Sequence, residues 1–246
     1  MEGFWIYGIN PVYEALRSSI KATKLLIARG RRRKELDGIL EIAVRRGLEP
    51  IEVDRSRLDQ LVQSAPHQGV ILRIGPFPYR ELEDVLKGEG DPLVLVLDGV
   101  EDPRNLGAII RTAEACGVWG VLIPKRRAAE VTATVAKASA GAVFHVPVAK
   151  VTNVREALRR IKTAGLWVVG AEADAPRSVF EEDLTGPLAV VIGGEGRGIR
   201  PVVRRECDFL VSIPMRGMVN SLNASVAAAV ILYEVIRQRE FQKGRA

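Results

Sequence analysis

The run Leu93-Val-Leu-Val-Leu97 is apolar at every position, so a strand built from it has no face suited to water. Such a strand belongs in the middle of a parallel sheet covered by helices on both sides. The chain downstream keeps to that plan. Strands are predicted at Trp119–Ile123, Val143–Val148, Leu166–Ala171, Leu188–Ile192 and Phe209–Ile213. Between them the apolar spacing predicts helices at Asn105–Cys116, Glu130–Ala138, Asn153–Thr163 and Ile199–Arg204, with a last helix ending near Arg239. Six strands alternating with helices imply a mainly parallel α/β sheet, with ligand chemistry beyond the carboxyl ends of its strands.

Residues 1–76 read as a separate small α/β unit. Asn10-Pro-Val-Tyr-Glu-Ala-Leu-Arg17 has a capping residue and a proline at the first helical position. Strands at Lys24–Ala28, Glu49–Val53 and Gln68–Ile74 alternate with helices at Lys34–Arg46 and Asp54–Gln63. Gly75-Pro-Phe-Pro78 and Gly88-Glu-Gly-Asp-Pro92 then interrupt regular structure. The expected organisation is therefore a domain at 1–76, a linker at 77–92 and a second domain at 93–246.

Charge separates the two parts. The chain carries a net +6, and residues 1–76 hold 13 Lys and Arg against 9 Asp and Glu, with 23 against 21 in the remainder. Arg29-Gly-Arg-Arg-Arg-Lys34 places five cations in six positions, and Arg31, Arg32, Arg33 and Lys34 are the expected nucleic-acid footprint. No apolar stretch approaches the roughly 20 residues of a membrane span, and Met1-Glu-Gly-Phe-Trp5 lacks a secretory pattern, so a cytoplasmic protein without a membrane partner is expected. Two separated cysteines and two histidines make a metal site improbable, and reduced, buried thiols are the expectation.

Three stretches at strand carboxyl ends carry more polar or glycine character than a turn requires. The first runs from Asp98 to Glu114 and includes Asn105 and Arg111; a guanidinium there suits a phosphate or ribose oxygen, or a plain salt bridge to Glu114. The second, Ile192-Gly-Gly-Glu-Gly-Arg-Gly198, has four glycines in six positions. It fits neither the dinucleotide fingerprint nor a P-loop, and Glu195 is its one acid. The third, Ile213-Pro-Met-Arg-Gly-Met-Val-Asn-Ser-Leu-Asn223, offers Asn220, Ser221 and Asn223 where a helix cap needs a single such residue.

Asn105-Leu-Gly-Ala-Ile-Ile-Arg111 and the second and third stretches together resemble the three motifs of the SpoU-type RNA ribose 2'-O-methyltransferases. Asn10–Leu16 and His67-Gln-Gly69 extend the resemblance to that family's small RNA-binding domain, itself similar to a ribosomal protein. The RlmB-like branch, which methylates a guanosine ribose in 23S ribosomal RNA, is the most similar. The resemblance implies a trefoil-knotted α/β fold, S-adenosylmethionine bound in the knot, and a homodimer whose site draws on both subunits. Gly193, Ile213 and Leu222, with Gly194 and Gly196, are the implied cofactor-binding residues. Asn105, Arg111, Glu195, Ser221 and Asn223 match the catalytic positions. Phe144 and His145 depart from the family pattern, which usually has a small residue and a glutamate there.

The difficult step in such a reaction is removing the proton of a 2'-hydroxyl. Because arginine stays protonated in proteins, Arg111 is first assigned to holding a phosphate and orienting the ribose. Transfer RNA is the alternative substrate, and a non-catalytic RNA-binding protein the alternative class. Neutralising Arg31–Lys34 should weaken RNA binding and flatten its salt dependence while leaving cofactor affinity unchanged, which anisotropy titrations across a salt series would measure.

Overall fold

The computed structural model describes residues 3–30 and 34–243. Arg31, Arg32 and Arg33 therefore lie outside the described residues, and Lys34 is exposed at the start of a helix. The chain divides into two compact units, one of residues 1–78 with 130–145, the other of residues 79–129 with 146–246. This division differs in two places from the one read in the sequence. Residues 79–92 pack as part of the second unit, where Leu82 and Val85 are buried, and residues 130–145 pack with the first.

In the first unit, β1 (Phe4–Tyr7), β2 (Ala22–Ala28), β3 (Pro50–Val53) and β4 (Val70–Ile74) form a sheet of order β1-β4-β2-β3. β2 runs parallel to β3 and antiparallel to β4, which is itself antiparallel to β1. The short edge strand β1 was not anticipated, since four residues give too little alternation to detect. Helices α1 (Ile9–Arg17), α2 (Lys34–Arg45) and α3 (Arg55–Leu61) cover the sheet. Leu58 of α3 packs with Leu26, Ala28 and Ile71 on one face. Alternation along the strands turns Leu25 and Leu72 to the other face. His67 is fully used: its Nδ1 accepts from the Gly69 N–H at 3.0 Å and its Nε2 meets Asp59 at 3.0 Å.

Residues 130–145 are tied to the rest of the first unit by two side-chain contacts. His145 Nε2 lies 2.7 Å from Glu14 on α1, and Lys137 Nζ donates to Gln68 at 2.7 Å. The strand expected at Val143–Val148 is displaced. Gly141 turns the chain with φ 94°, Ala142–Phe144 form one 3-10 turn, and the strand occupies Val148–Val151. Pairing starts as Val121 N donates to the Pro147 carbonyl, a residue with no N–H to offer in return.

The second unit holds β5 (Leu93–Asp98), β6 (Gly120–Pro124), β7 (Val148–Val151), β8 (Trp167–Ala171), β9 (Leu188–Gly193) and β10 (Phe209–Val211), with helices α4 (Leu82–Val85), α5 (Pro103–Ala115), α7 (Val154–Thr163), α8 (Pro201–Arg204) and α9 (Ala224–Lys243), whereas α6 (Ala133–Ala138) belongs to the first unit. Its strands are all parallel, in the order β10-β8-β9-β5-β6-β7, and β5 is buried at all six positions. The chain moves outward from β5 through β6 to β7, then returns to the other side. The strand order therefore switches between β5 and β9, opening a crevice at their carboxyl ends. Asp98 and Gly193 are register partners at that end.

The last helix is fastened to the sheet. Ala228, Ile231, Leu232 and Val235 of α9 are buried, and Arg239 is only 6% exposed. Its guanidinium donates to the carbonyls of Asp91 (3.1 Å), Pro92 (2.9 Å) and Gly186 (2.8 Å), just before β5 and β9 begin. No helix among the described residues is long and apolar enough to cross a membrane. Arg239→Ala should lower stability by about 2–4 kcal/mol, because three carbonyls lose a charged donor and a buried stem is removed; urea unfolding would measure the loss.

Candidate active site

The first turn of α5 supplies Asn105. Asp102, not Asn105, caps this helix: its Oδ1 accepts the Arg104 N–H at 2.7 Å, with Pro103 at the first helical position. The Asn105 amide is thereby free for other partners. Its Nδ2 donates to Glu195 Oε1 at 2.8 Å. Asn223 Nδ2 donates to the same oxygen at 2.6 Å and to Asn105 Oδ1 at 3.1 Å. Three residues from three separate stretches thus meet in one hydrogen-bonded cluster.

Asn223 also caps α9. Its Oδ1 accepts the Ser225 N–H at 2.9 Å and the Ser225 hydroxyl at 2.6 Å. Because a backbone N–H can only be met by the amide oxygen, the amide nitrogen must be the end facing Glu195. Capping of α9 and the contact with Glu195 are both carried by this one side chain. Both amide donors reach Glu195 Oε1, and neither engages Oε2.

The glycine-rich loop after β9 folds back on itself. Gly194 N donates to the Asp98 carbonyl and Gly198 N to the Gly194 carbonyl, each at 3.0 Å. A Cβ on Gly193 would lie 2.1 Å from the Gly198 carbonyl carbon, and one on Gly194 would lie 2.1 Å from the Gly99 carbonyl oxygen. Gly196 and Gly198 turn with φ 75° and 61°. Backbone geometry thus constrains all four glycines, in addition to any ligand they meet.

Two carboxylates unnoticed in the sequence hold the far end of this loop. Asp98 is 1% exposed; it accepts from Arg200 N at 2.9 Å and from Arg200 Nε at 2.8 Å, and it pairs with Nη2. Glu172 Oε1 accepts the Ile199 N–H at 3.1 Å. The available signal for Asp98 was a lone acid closing an otherwise apolar strand.

Two cavities flank the loop. The first, of about 670 Å3, is within the size range of small-molecule sites. Gly193, Gly194, Gly196, Ile213, Ser221 and Leu222 all line it, and Glu172 and Asp174 add carboxylates to its wall. The second, of about 630 Å3, opens along the β5–α5 loop, and Glu195 borders both. Arg111 lines neither. It is exposed on α5, outside the hydrogen-bonded cluster, and makes no ion pair with Glu114 among the described residues. Cys116 and Cys207 are free thiols, the second only partly buried. Burial raises the pKa of Cys116; burial, with the charges of Asp208 and Glu172, pushes Cys207 up to about 12, so neither serves as a thiolate.

Residues 92–233 match the SpoU rRNA Methylase family, and residues 5–80 match the RNA 2'-O ribose methyltransferase substrate-binding family. The chain belongs to the SpoU rRNA methylase family. YacO of Bacillus subtilis (strain 168), named for the TrmH family of tRNA/rRNA methyltransferases, is 45% identical over 239 residues, covering 96% of each chain. AviRb, a SpoU methyltransferase from Streptomyces viridochromogenes solved in complex with AdoMet, aligns with a TM-score of 0.83 at 30% identity, over 98% of this chain and 92% of its own. An AdoMet-bound rRNA methyltransferase from Sinorhizobium meliloti gives a TM-score of 0.81 at 27% identity, over 96% and 87%.

In this SpoU methylase, the Asp98–Arg200 pair should set how firmly residues 194–200 are held. Asp98→Ala should speed hydrogen exchange at those amides while the centre of β5 and β9 keeps its protection.

Proposed function

We propose that this protein transfers a methyl group from S-adenosylmethionine to the 2'-hydroxyl of a guanosine ribose in 23S ribosomal RNA, acting as a homodimer. The observation that carries the proposal is the meeting of Asn105, Glu195 and Asn223 at the wall shared by two cavities. The first cavity fits the cofactor: it combines apolar side chains, Ile213 and Leu222, with the backbone of the 193–198 loop and with carboxylates able to meet ribose hydroxyls or an amino group. The RNA-binding match over residues 5–80 and the basic first domain support an RNA acceptor. The RlmB-like resemblance of the motifs supports the 23S guanosine target and the trefoil threading of residues 212–223 and α9.

S-adenosylmethionine supplies, when bound, a methyl group activated on a sulfonium. The remaining tasks fall to the chain. The methyl's S–C bond and the ribose O–H bond are exchanged for an O–C bond, so S-adenosylhomocysteine is the leaving group and one proton must leave. Glu195 Oε2, the carboxylate oxygen that neither asparagine engages, is the side-chain acceptor this cluster offers. Asn105 and Asn223 hold the carboxylate in one orientation, which is where positioning contributes to rate. Arg111 stays charged and binds phosphate. Since it lines neither cavity of its own chain, it acts on the cluster of a second copy. Val226 and Tyr233, apolar and exposed on α9, supply surface for that contact.

The test is in vitro methylation of unmodified 23S ribosomal RNA and transfer RNA, followed by mapping of 2'-O-methyl positions. A guanosine in 23S RNA is expected; modification confined to transfer RNA would replace the substrate, and absence of S-adenosylmethionine binding in calorimetry would remove the reaction. Arg111→Ala should lower the single-turnover rate by about 100-fold or more, with an unchanged circular dichroism spectrum. A wild-type rate would free Arg111 of this role.

A further inference from the structure

The second cavity is built from the ends of β5 and β6. The loop after β5, Asn105, Glu195 and the Arg126-Arg127 turn line it, and Arg197 and Arg200 complete its wall. Its charges are unequally committed. Asp98 is paired with Arg200, Asp102 accepts from the first turn of α5, and Glu195 accepts from the two asparagines through Oε1 alone. By contrast Arg126, Arg127 and Arg197 are exposed, and no hydrogen bond or ion pair ties them to another described residue. Among the acids of the lining, Glu101 and Glu195 have no ion pair with a described residue. Four arginines face four carboxylates in the lining, so formal charge balances, but three of the guanidinium groups stand close to the Glu195 cluster, unpaired among the described residues.

The Arg126-Arg127 turn is also held in an unusual backbone state. Arg127 has φ 56°, a left-handed conformation that side-chain-bearing residues disfavour. The turn is fastened on both sides: Lys125 N donates to the Val151 carbonyl and Ala129 N to the Val100 carbonyl, each at 2.9 Å. The fold thus keeps two adjacent arginines at the cavity without giving them partners among the described residues. Disfavoured backbone of this kind, over-determined by its surroundings, clusters at ligand-binding sites.

We propose that the second cavity seats the sugar-phosphate backbone of the acceptor RNA, with Arg126 and Arg127 gripping the phosphodiester next to the target ribose. The inference rests on the proposed methyl transfer for which hydroxyl is placed where. In RNA the 2'-hydroxyl and the 3'-phosphate are borne on adjacent ribose carbons. A hydroxyl brought to Glu195 therefore carries a phosphodiester with it, a few bonds away. That group needs cations on the side of Glu195 away from the first cavity, which is where Arg126 and Arg127, lining the second cavity and not the first, stand. A guanidinium fork matches two phosphate oxygens, and a pair of forks binds one phosphodiester in a defined orientation. Arg126 and Arg127 thereby act as binding residues that set acceptor register, separate from the role of Arg111 in the transfer step.

Arg127→Gly is a clean probe, because glycine accepts φ 56° without strain while removing the guanidinium. The measurements use the full chain, in vitro transcribed 23S ribosomal RNA as the probe, and single-turnover methylation at saturating S-adenosylmethionine. For Arg127→Gly, and more so with Arg126→Ala added, the half-saturating RNA concentration should rise at least tenfold. RNA binding by anisotropy should lose about 0.7 of salt slope for each phosphate contact removed, the value for single strands. The melting temperature and cofactor affinity should stay at wild type, and Arg127→Lys should restore part of the loss. Unchanged half-saturation and salt slope in the double variant, with a wild type that methylates, would overturn the inference and leave the methyl-transfer proposal standing. A loss matched by a fall in melting temperature or cofactor affinity would also overturn it, by showing a structural role. Should the wild type neither bind the cofactor nor methylate, the failure is that of the methyl-transfer proposal, and an unchanged salt slope would still dispose of the arginine pair.

Discussion

A carboxylate with almost no contact with water closes the central strand. Asp98 is the last residue of β5, and burial at that depth is tolerated only with full hydrogen bonding. Arg200 provides it through its backbone N–H and its guanidinium. Because Arg200 follows the 193–198 loop, satisfying Asp98 fixes where that loop returns to the sheet. Glu195 is carried on the loop, so its position depends on a pair that never touches it. The walls of both cavities inherit the same constraint.

The strands of the large sheet could be read from the chain because fully buried strands must be continuously apolar, and Leu93–Leu97 and Leu188–Ile192 are. Where a glycine and a proline set the path, as at Gly141 and Pro147, apolar content misplaced the strand by several residues. The edge strand Phe4–Tyr7 escaped because it pairs on one side only and is too short to alternate visibly. That residues 130–145 pack with the first unit could not be read at all, since Glu14–His145 and Lys137–Gln68 contacts are long in sequence and carry no local pattern.

The site was legible in a different way. Asn105, Glu195 and Asn223 stood out as polar groups in excess of what turns and caps need, and they converge. The glycines stood out too, and close backbone packing is a second demand on them that their spacing does not reveal. Asp98 and Glu172 were missed because a single acid at a strand end looks like ordinary solvated charge until its burial or its backbone partner is seen. Arg126 and Arg127 were missed because paired arginines in a loop are common on basic surfaces, and only the left-handed backbone at Arg127 marks them.

The last helix joins opposite ends of the sheet: Asn223 meets Glu195 at its start, while Arg239 near its end holds carbonyls from residues 91, 92 and 186. Neither fastening exists until the sheet does, and the polar cluster lacks one member until α9 docks. During synthesis, then, a chain that has folded every strand would still be unable to arrange its carboxylate. Since α9 follows every strand in the chain, the cluster is completed after the sheet and not with it.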